Sequence, residues 1–146
     1  MTRKSPGTDE RPGEPVTGNT GPLVLIVDDV QDNRTIYVLF LKFSGFRVAE
    51  AENGLEAVEK ATTLLPDAIV MDLSLPVMDG WEATRRLKRD PRTKKIPVVV
   101  LTGHALPEHA HAAREAWCDL VITKPWLPEQ LMEFLRPILD LPKARP

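Results

Sequence analysis

Two short segments of the chain are apolar at every position and end directly in carboxylates. Ala68 to Met71 precedes Asp72, and Leu23 to Val27 precedes Asp28 and Asp29. A run without polar alternation is typical of a strand buried on both faces, as in a parallel sheet covered by helices. Ligands of such sheets bind beyond the carboxyl ends of the strands. Taken alone, however, Asp72 is equally well explained as a helix cap or a loop acid.

Strand and helix patterns alternate along the whole chain. Three further strand patterns cover Phe46 to Ala51, Ile96 to Leu101 and Leu120 to Ile122. Five helix starts are indicated by Asp32, Asn53 with Glu56, Asp79 with Gly80, Pro107 and Pro128. This alternation predicts an α/β fold, a doubly wound five-stranded parallel sheet with five helices.

Apolar spacing also predicts which helix faces are buried. In the first helix, the residues at helical spacing that are expected to face inward are Ile36, Leu39, Phe40 and Phe43. The apolar residues expected on the exposed side of the same helix are Tyr37, Val38 and Leu41. In the fourth helix, expected from Pro107 to Trp117, the inward residues are Ala110, Ala113 and Trp117.

Length and composition favour one domain. A chain of 146 residues with 42% hydrophobic residues is large enough to bury a core. We expect this domain at residues 22–140, between a Pro- and Gly-rich flexible tail at 1–21 and a short tail at 141–146. The formal charge of -2 implies no general affinity for nucleic acid.

The cellular compartment is predicted from cysteine content and hydropathy. The single cysteine, Cys118, cannot form an internal disulfide, which favours a reducing compartment. No apolar run reaches the length of a membrane span or of a secretory signal. A cytoplasmic protein without membrane contact is therefore expected.

Four predicted strands end in polar residues suited to one reaction. These residues are Asp28 with Asp29, Asp72, Thr102 and Lys124. Close carboxylates repel one another and favour a bound cation, and oxygen ligands of this kind suit Mg²⁺. A carboxylate is also an established nucleophile towards phosphorus. The Thr102 hydroxyl and the Lys124 amine are suited to contact phosphoryl oxygens beside the metal.

The motifs resemble those of a known family. VDD at Val27 to Asp29, MDLSLPVMDG at Met71 to Gly80, LTGHA at Leu101 to Ala105 and KP at Lys124 and Pro125 occur in that order. Over about Leu23 to Leu139, the chain resembles the receiver domains of bacterial two-component response regulators. The resemblance implies the flavodoxin-like sheet with strand order 2-1-3-4-5.

The resemblance also implies roles for the site residues. Asp72 is the phosphoacceptor, Asp28 and Asp29 hold Mg²⁺ (or Mn²⁺) with the Ser74 carbonyl, and Thr102 is the switch hydroxyl. Lys124 contacts the acceptor or its phosphate. The implied donor is a histidine kinase or a histidine phosphotransfer protein, and the first helix is where such donors bind.

Four positions are expected to modulate the reaction. The family usually carries an aromatic ring where this chain has Val121, so we expect Thr102 and the following loop to move without a ring flip. Ser74 and His104 lie where family members adjust access of water to the phosphate. Gly103 is small and leaves room for the donor.

The leading hypothesis is a single-domain response regulator, not an enzyme on other substrates. It would present a changed surface of helix 4, strand 5 and helix 5 to a protein partner, or relay the phosphoryl group, as a monomer or as a phosphorylation-dependent dimer. Two alternatives are a phosphohydrolase, against which Ser74 argues because such enzymes carry an acid there, and a flavoprotein. The acids would repel a flavin phosphate.

Overall fold

The computed structural model describes residues 21–103, 107–123 and 128–139, and it confirms the predicted fold. Five strands alternate with five helices. In chain order the elements are β1 (Leu23–Val27), α1 (Gln31–Phe43), β2 (Arg47–Ala51), α2 (Gly54–Leu64), β3 (Ala68–Asp72), α3 (Gly80–Arg89), β4 (Val98–Thr102), α4 (Pro107–Ala116), β5 (Leu120–Thr123) and α5 (Pro128–Ile138). The predicted tails lie outside the described residues, apart from Gly21.

All neighbouring strands of the sheet are parallel, in the order β2-β1-β3-β4-β5. Successive side chains of a strand point to opposite faces, so the apolar runs supply two cores. Val24 and Ile26 pack with α1 and α5 on one face, whereas Leu25 and Val27 pack with α2 and α3 on the other. The central strand, β3, is buried at all five positions. This double burial explains why its sequence does not alternate.

Two helix starts follow the predicted capping residues. The Asn53 side chain accepts a hydrogen bond from the Glu56 amide at the start of α2, and Glu56 in turn accepts one from the Glu52 amide. That second bond is the main reason why the pKa of Glu56 lies below its usual value. Asp79 caps α3 by accepting from the Glu82 amide.

The prediction for α1 was wrong in its cap and in most of its buried face, since only Phe40 of the four residues expected to face inward packs against the core. Its N-cap is Val30, with no side-chain cap bond, and Asp32 lies in the first turn. The buried residues are Arg34, Val38 and Leu41, and Tyr37 and Phe40 are partly buried. The exposed apolar residues are instead Ile36, Leu39 and Phe43. The second half of the helix, residues 36–43, is apolar at every position except Lys42, so its own spacing did not determine the face that meets the sheet.

The prediction for Trp117 was also wrong. The helix α4 ends at Ala116, and Trp117 follows it with a left-handed backbone (φ 62°) and 62% of its surface exposed. The side chain that is fully buried near this helix end is Ala116.

Candidate functional site

The carboxyl ends of β1 and β3 bring the predicted acids together. Asp28 and Asp29 follow β1, and Asp72 is the last residue of the neighbouring strand β3. One carboxylate oxygen of each of the three residues lies within 4.8 Å of the others. Asp28 and Asp72 are buried, at 2% and 8% exposure, whereas Asp29 is exposed. The three charges therefore share one small, partly dehydrated site.

Backbone and side-chain bonds hold Asp28 in position. Its Oδ1 accepts from the Val30 amide at 2.9 Å, and its Oδ2 accepts from the Asn33 side chain at 3.5 Å. Its own amide donates to the Ala51 carbonyl at the end of β2. These bonds orient the carboxylate before any ligand binds.

A buried arginine supports the same loop, and the sequence analysis missed it. Arg34 Nη1 donates to the Asp28 carbonyl oxygen at 2.7 Å, and Arg34 Nε donates to Glu50 Oε1 at 2.9 Å. The Arg34 side chain is 8% exposed, whereas that of Glu50 is 47% exposed. Arg34 lies at helical spacing from Val38 and Leu41, so assigning that stripe to the core would have revealed it.

The loop between β3 and α3 closes tightly on the end of β3. The Leu73 amide donates to the Leu101 carbonyl, and the amides of Leu75 and Gly80 donate to the Leu73 carbonyl. Gly80 leaves no room for a side chain, because a Cβ there would lie 2.7 Å from the Asp72 carbonyl oxygen. Ser74, whose carbonyl is a predicted metal ligand, is an exposed residue of this loop.

The other predicted site residues are only partly within the described chain. Thr102 is buried at the end of β4 and pairs in register with Thr123. Lys124 comes directly after Thr123 but lies outside the described residues, as does His104. Gly103 is exposed, and a Cβ there would meet nothing within 4 Å. Val121, on β5, is partly buried.

The acid cluster also acts on a nearby tyrosine. Burial raises the pKa of Tyr37, and the charges of Asp28 and Asp72 raise it further. A deprotonated tyrosine would add a fourth negative charge near the carboxylates. The shift therefore reports the negative potential of the site.

The donor set fits a hard divalent cation. It consists of carboxylate oxygens, two of them on buried side chains, and the cation would offset their mutual repulsion. The predicted grouping of Asp28, Asp29 and Asp72 is thus present, whereas the role of each residue stays a prediction.

A family model for the response regulator receiver domain matches residues 24–136. The chain belongs to this family. This confirms the resemblance seen in the motifs. None of the described helices is long and apolar enough to cross a membrane.

Curated relatives of this receiver domain differ in length. It is 36% identical over 119 residues to the phosphate regulon transcriptional regulatory protein PhoB of Pseudomonas aeruginosa, matching 82% of this chain and 52% of that protein. It is 33% identical over 116 residues to the polar-differentiation response regulator DivK of Brucella anthropi, matching 80% of this chain and 94% of that protein. The chain thus spans about half the length of PhoB but most of DivK.

Solved structures of receiver domains are similar in fold. A putative response regulator from Chloroflexus aurantiacus has a TM-score of 0.77 and 31% identity, over 83% of this chain and 99% of that one. The receiver domain of a sensor histidine kinase from Pseudomonas aeruginosa also has a TM-score of 0.77, with 30% identity over 83% of this chain and 99% of that one. That structure holds a magnesium ion in its active site cleft.

Proposed function

We propose that Asp72 accepts a phosphoryl group from a phosphohistidine of a histidine kinase or histidine phosphotransfer protein. The carrying observation is the buried Asp72 carboxylate at the end of the central strand, close to Asp28 and Asp29. A carboxylate oxygen of Asp72 forms the new bond to phosphorus, and the bond between phosphorus and the histidine nitrogen breaks. The electron pair of that bond leaves with the imidazole, which is protonated as it departs.

The reaction needs positive charge, and we assign the metal site to Asp28, Asp29, Asp72 and the Ser74 carbonyl. Bound Mg²⁺ neutralises charge on the phosphoryl oxygens. Asp28 is oriented for this role by the Val30 amide and Asn33, and its backbone carbonyl is tied to Arg34. The Pseudomonas aeruginosa receiver domain that holds magnesium in its cleft supports the assignment. Mn²⁺ is a further candidate ion with the same oxygen preference.

Thr102 and Lys124 complete the proposed site. Thr102 is buried at the end of β4, which neighbours β3, and we assign its hydroxyl to the phosphoryl group. Lys124 is assigned to the same group because it directly follows β5. The open space at Gly103 leaves access for the donor, and the exposed position of Ser74 leaves access for water. We also assign to His104 an influence on the access of water to the phosphate, because it directly follows Gly103 in the sequence.

Phosphorylation would be read out through the surface of α4, β5 and α5. Movement of Thr102 towards the phosphate changes the end of β4, which leads into α4. Val121 offers no ring to follow that movement, so the change is carried by the backbone of the loop. The output is a protein contact or onward transfer of the phosphoryl group, and the chain catalyses only its own phosphorylation and dephosphorylation.

Intact-mass measurement tests the acceptor. The protein is incubated with phosphoimidazole, a small donor that contains a phosphorus-nitrogen bond. One sample contains Mg²⁺ and the other contains EDTA. We expect a gain of about 80 daltons, the mass of one phosphoryl group, only with Mg²⁺. Asp72→Asn should gain nothing. Asp32→Asn, which changes an exposed acid in the first turn of α1, should react like the wild type.

Two results would contradict this proposal. Equal labelling of Asp72→Asn and the wild type would place the acceptor elsewhere. An unlabelled wild type in the presence of Mg²⁺ would show that the acid cluster does not support phosphoryl transfer from a phosphorus-nitrogen donor.

A further inference from the structure

A basic surface lies at the end of the sheet opposite to Asp72. The loop between α3 and β4 precedes Val98, and Trp117 precedes β5, so both lie at the amino ends of parallel strands. The exposed cations of this region are Arg86, Arg89, Arg92, Lys94, Lys95 and Arg114. Four of these cations lie around Trp117 and form no ion pair among the described residues. They are Arg89, Lys94, Lys95 and Arg114, and we call them the basic rim.

The carboxylates of Asp119 and Asp90 are engaged by cations of this region, whereas the exposed Glu115 lies 3.5 Å from His111 on α4. Asp119 accepts from the Lys88 amine at 2.9 Å and from the Val98 amide at 2.7 Å. Asp90 pairs with Arg92, which holds the pKa of Asp90 below its usual value. The basic rim therefore keeps its positive charge, although the whole chain is slightly acidic.

The loop that carries the lysines is held in one shape. The Lys88 amine, almost fully buried, donates to the carbonyls of Lys94 and Ile96. The buried Thr93 hydroxyl donates to the Leu87 carbonyl at 2.7 Å. Lys94 and Lys95 are thus presented on a rigid loop, which lowers the entropy lost when a partner binds.

Trp117 occupies a backbone position at which glycine is the usual residue. The Cys118 amide donates to the Ala113 carbonyl and the Trp117 amide donates to the Arg114 carbonyl, which forms a Schellman motif with Trp117 at its left-handed position. Glycine is usual there because it has no Cβ. A strained tryptophan that is also 62% exposed gains little from the fold. Its exposed ring is instead suited to a partner, because tryptophan and arginine dominate the binding energy of protein interfaces.

The shape beside Trp117 indicates the kind of partner. One depression of about 680 Å³ is lined by the apolar residues Ala113, Leu120 and Val121 together with the charged residues Arg114 and Asp119. A second, of about 640 Å³, lies between Trp117 and the lysines of the loop. A partly apolar depression next to cations that form no ion pair among the described residues matches a peptide that combines an apolar side chain with carboxylates. Nucleic acid would leave the apolar part of this depression unused.

We propose that the basic rim and Trp117 bind an acidic segment of a partner protein. An apolar side chain of that segment fills the depression beside Trp117, and its carboxylates face Arg89, Lys94 and Lys95. This contact is separate from the phosphoryl chemistry, since it lies at the opposite end of the sheet from Asp72.

Fluorescence anisotropy tests the proposal on the unphosphorylated protein without Mg²⁺. The probe is a labelled peptide of Glu and Asp around one central Leu, and its matched control has Ser in place of Leu. We expect the Leu peptide to bind more tightly, with an affinity that falls as salt rises. Lys95→Glu should weaken binding by about ten-fold, whereas Lys42→Glu, a matched change of an exposed lysine on α1, should weaken it by less than about two-fold.

Trp117→Asn tests the aromatic contact. Asn tolerates the left-handed backbone, so the helix end should persist and the unfolding midpoint should stay close to that of the wild type. The variant should bind the Leu and Ser peptides equally. If it unfolds, Trp117→Gly replaces it, because glycine is favoured at this position.

Three outcomes would overturn the proposal. Equal weakening by Lys42→Glu and Lys95→Glu would show only general charge attraction. A retained preference for the Leu peptide in Trp117→Asn would exclude the tryptophan pocket. Tighter binding of labelled oligothymidylate, with the same dependence on Lys95 and Trp117, would identify a nucleic-acid surface instead.

Discussion

Replacing Gly80 by alanine should weaken both the fold and the reaction at Asp72. Gly80 begins α3, and its amide donates to the Leu73 carbonyl at 3.0 Å. A Cβ at this position would lie 2.7 Å from the Asp72 carbonyl oxygen and 3.0 Å from the Leu73 Cα. Both neighbours are backbone atoms, so no flexible side chain can move aside.

The size of the effect follows from this overlap. Ordinary contact begins near 3.4 Å, so the start of α3 or the end of β3 has to move by about 0.7 Å. Overpacking of this kind costs about 1–3 kcal/mol, and the better helix propensity of alanine returns up to about 1 kcal/mol. We expect a net loss of about 1–2 kcal/mol in the free energy of unfolding. Because Asp72 is displaced, phosphorylation should slow by about ten-fold or more.

Urea unfolding and intact-mass time courses measure the two effects. Gly103→Ala is the matched control for stability, since it adds the same methyl group near the site where nothing lies within 4 Å. We expect its stability to stay within about 0.5 kcal/mol of the wild type. If Gly80→Ala were as stable as Gly103→Ala and as reactive as the wild type, the close packing of α3 on Asp72 would not matter, and the reasoning would fail.

Three further predictions concern the surroundings of the site. Arg34→Met should lower the free energy of unfolding by about 1–3 kcal/mol, because the Asp28 carbonyl loses its hydrogen-bond donor. Glu50→Gln should change that free energy by less than about 0.5 kcal/mol, and urea unfolding of the two variants compares the effects. Val77 is 77% exposed with φ 69°, so Val77→Asn should relieve strain and raise stability by about 1 kcal/mol; an unchanged thermal midpoint would count against this. Tyr37 is the single tyrosine, and Mg²⁺ should lower its raised pKa, seen as tyrosinate absorbance that begins at lower pH. Without Mg²⁺, the stability that Tyr37 contributes is fully present below its ordinary pKa of 10.0 and is lost as pH rises through the higher folded value.

The sequence by itself determined the strands, most helix starts and the grouping of the acids. Leu23–Val27 and Ala68–Asp72 are short and almost wholly apolar, a pattern typical of strands that are buried on both faces. Parallel strands bring their carboxyl ends to one edge of the sheet, which groups the acids. The caps at Asn53 and Asp79 were predictable because they form bonds within a few residues of the chain. Strand order came from the family resemblance, which carries long-range information that local patterns lack.

Only the tertiary structure decided which face of α1 is buried. The helix offers two apolar stripes, and the sheet together with α5 selects Val38 and Leu41 while Ile36 and Phe43 stay exposed. The same choice places Arg34 beneath Asp28, where it meets Glu50 from a different strand. Trp117 is the second case, since its left-handed backbone is set by the turn that joins α4 to β5. For α1 the outcome depends on contacts between residues distant in the chain, and local periodicity carries no record of them. At Trp117 the deciding bonds are local, but they join backbone atoms, which the spacing of apolar side chains does not encode.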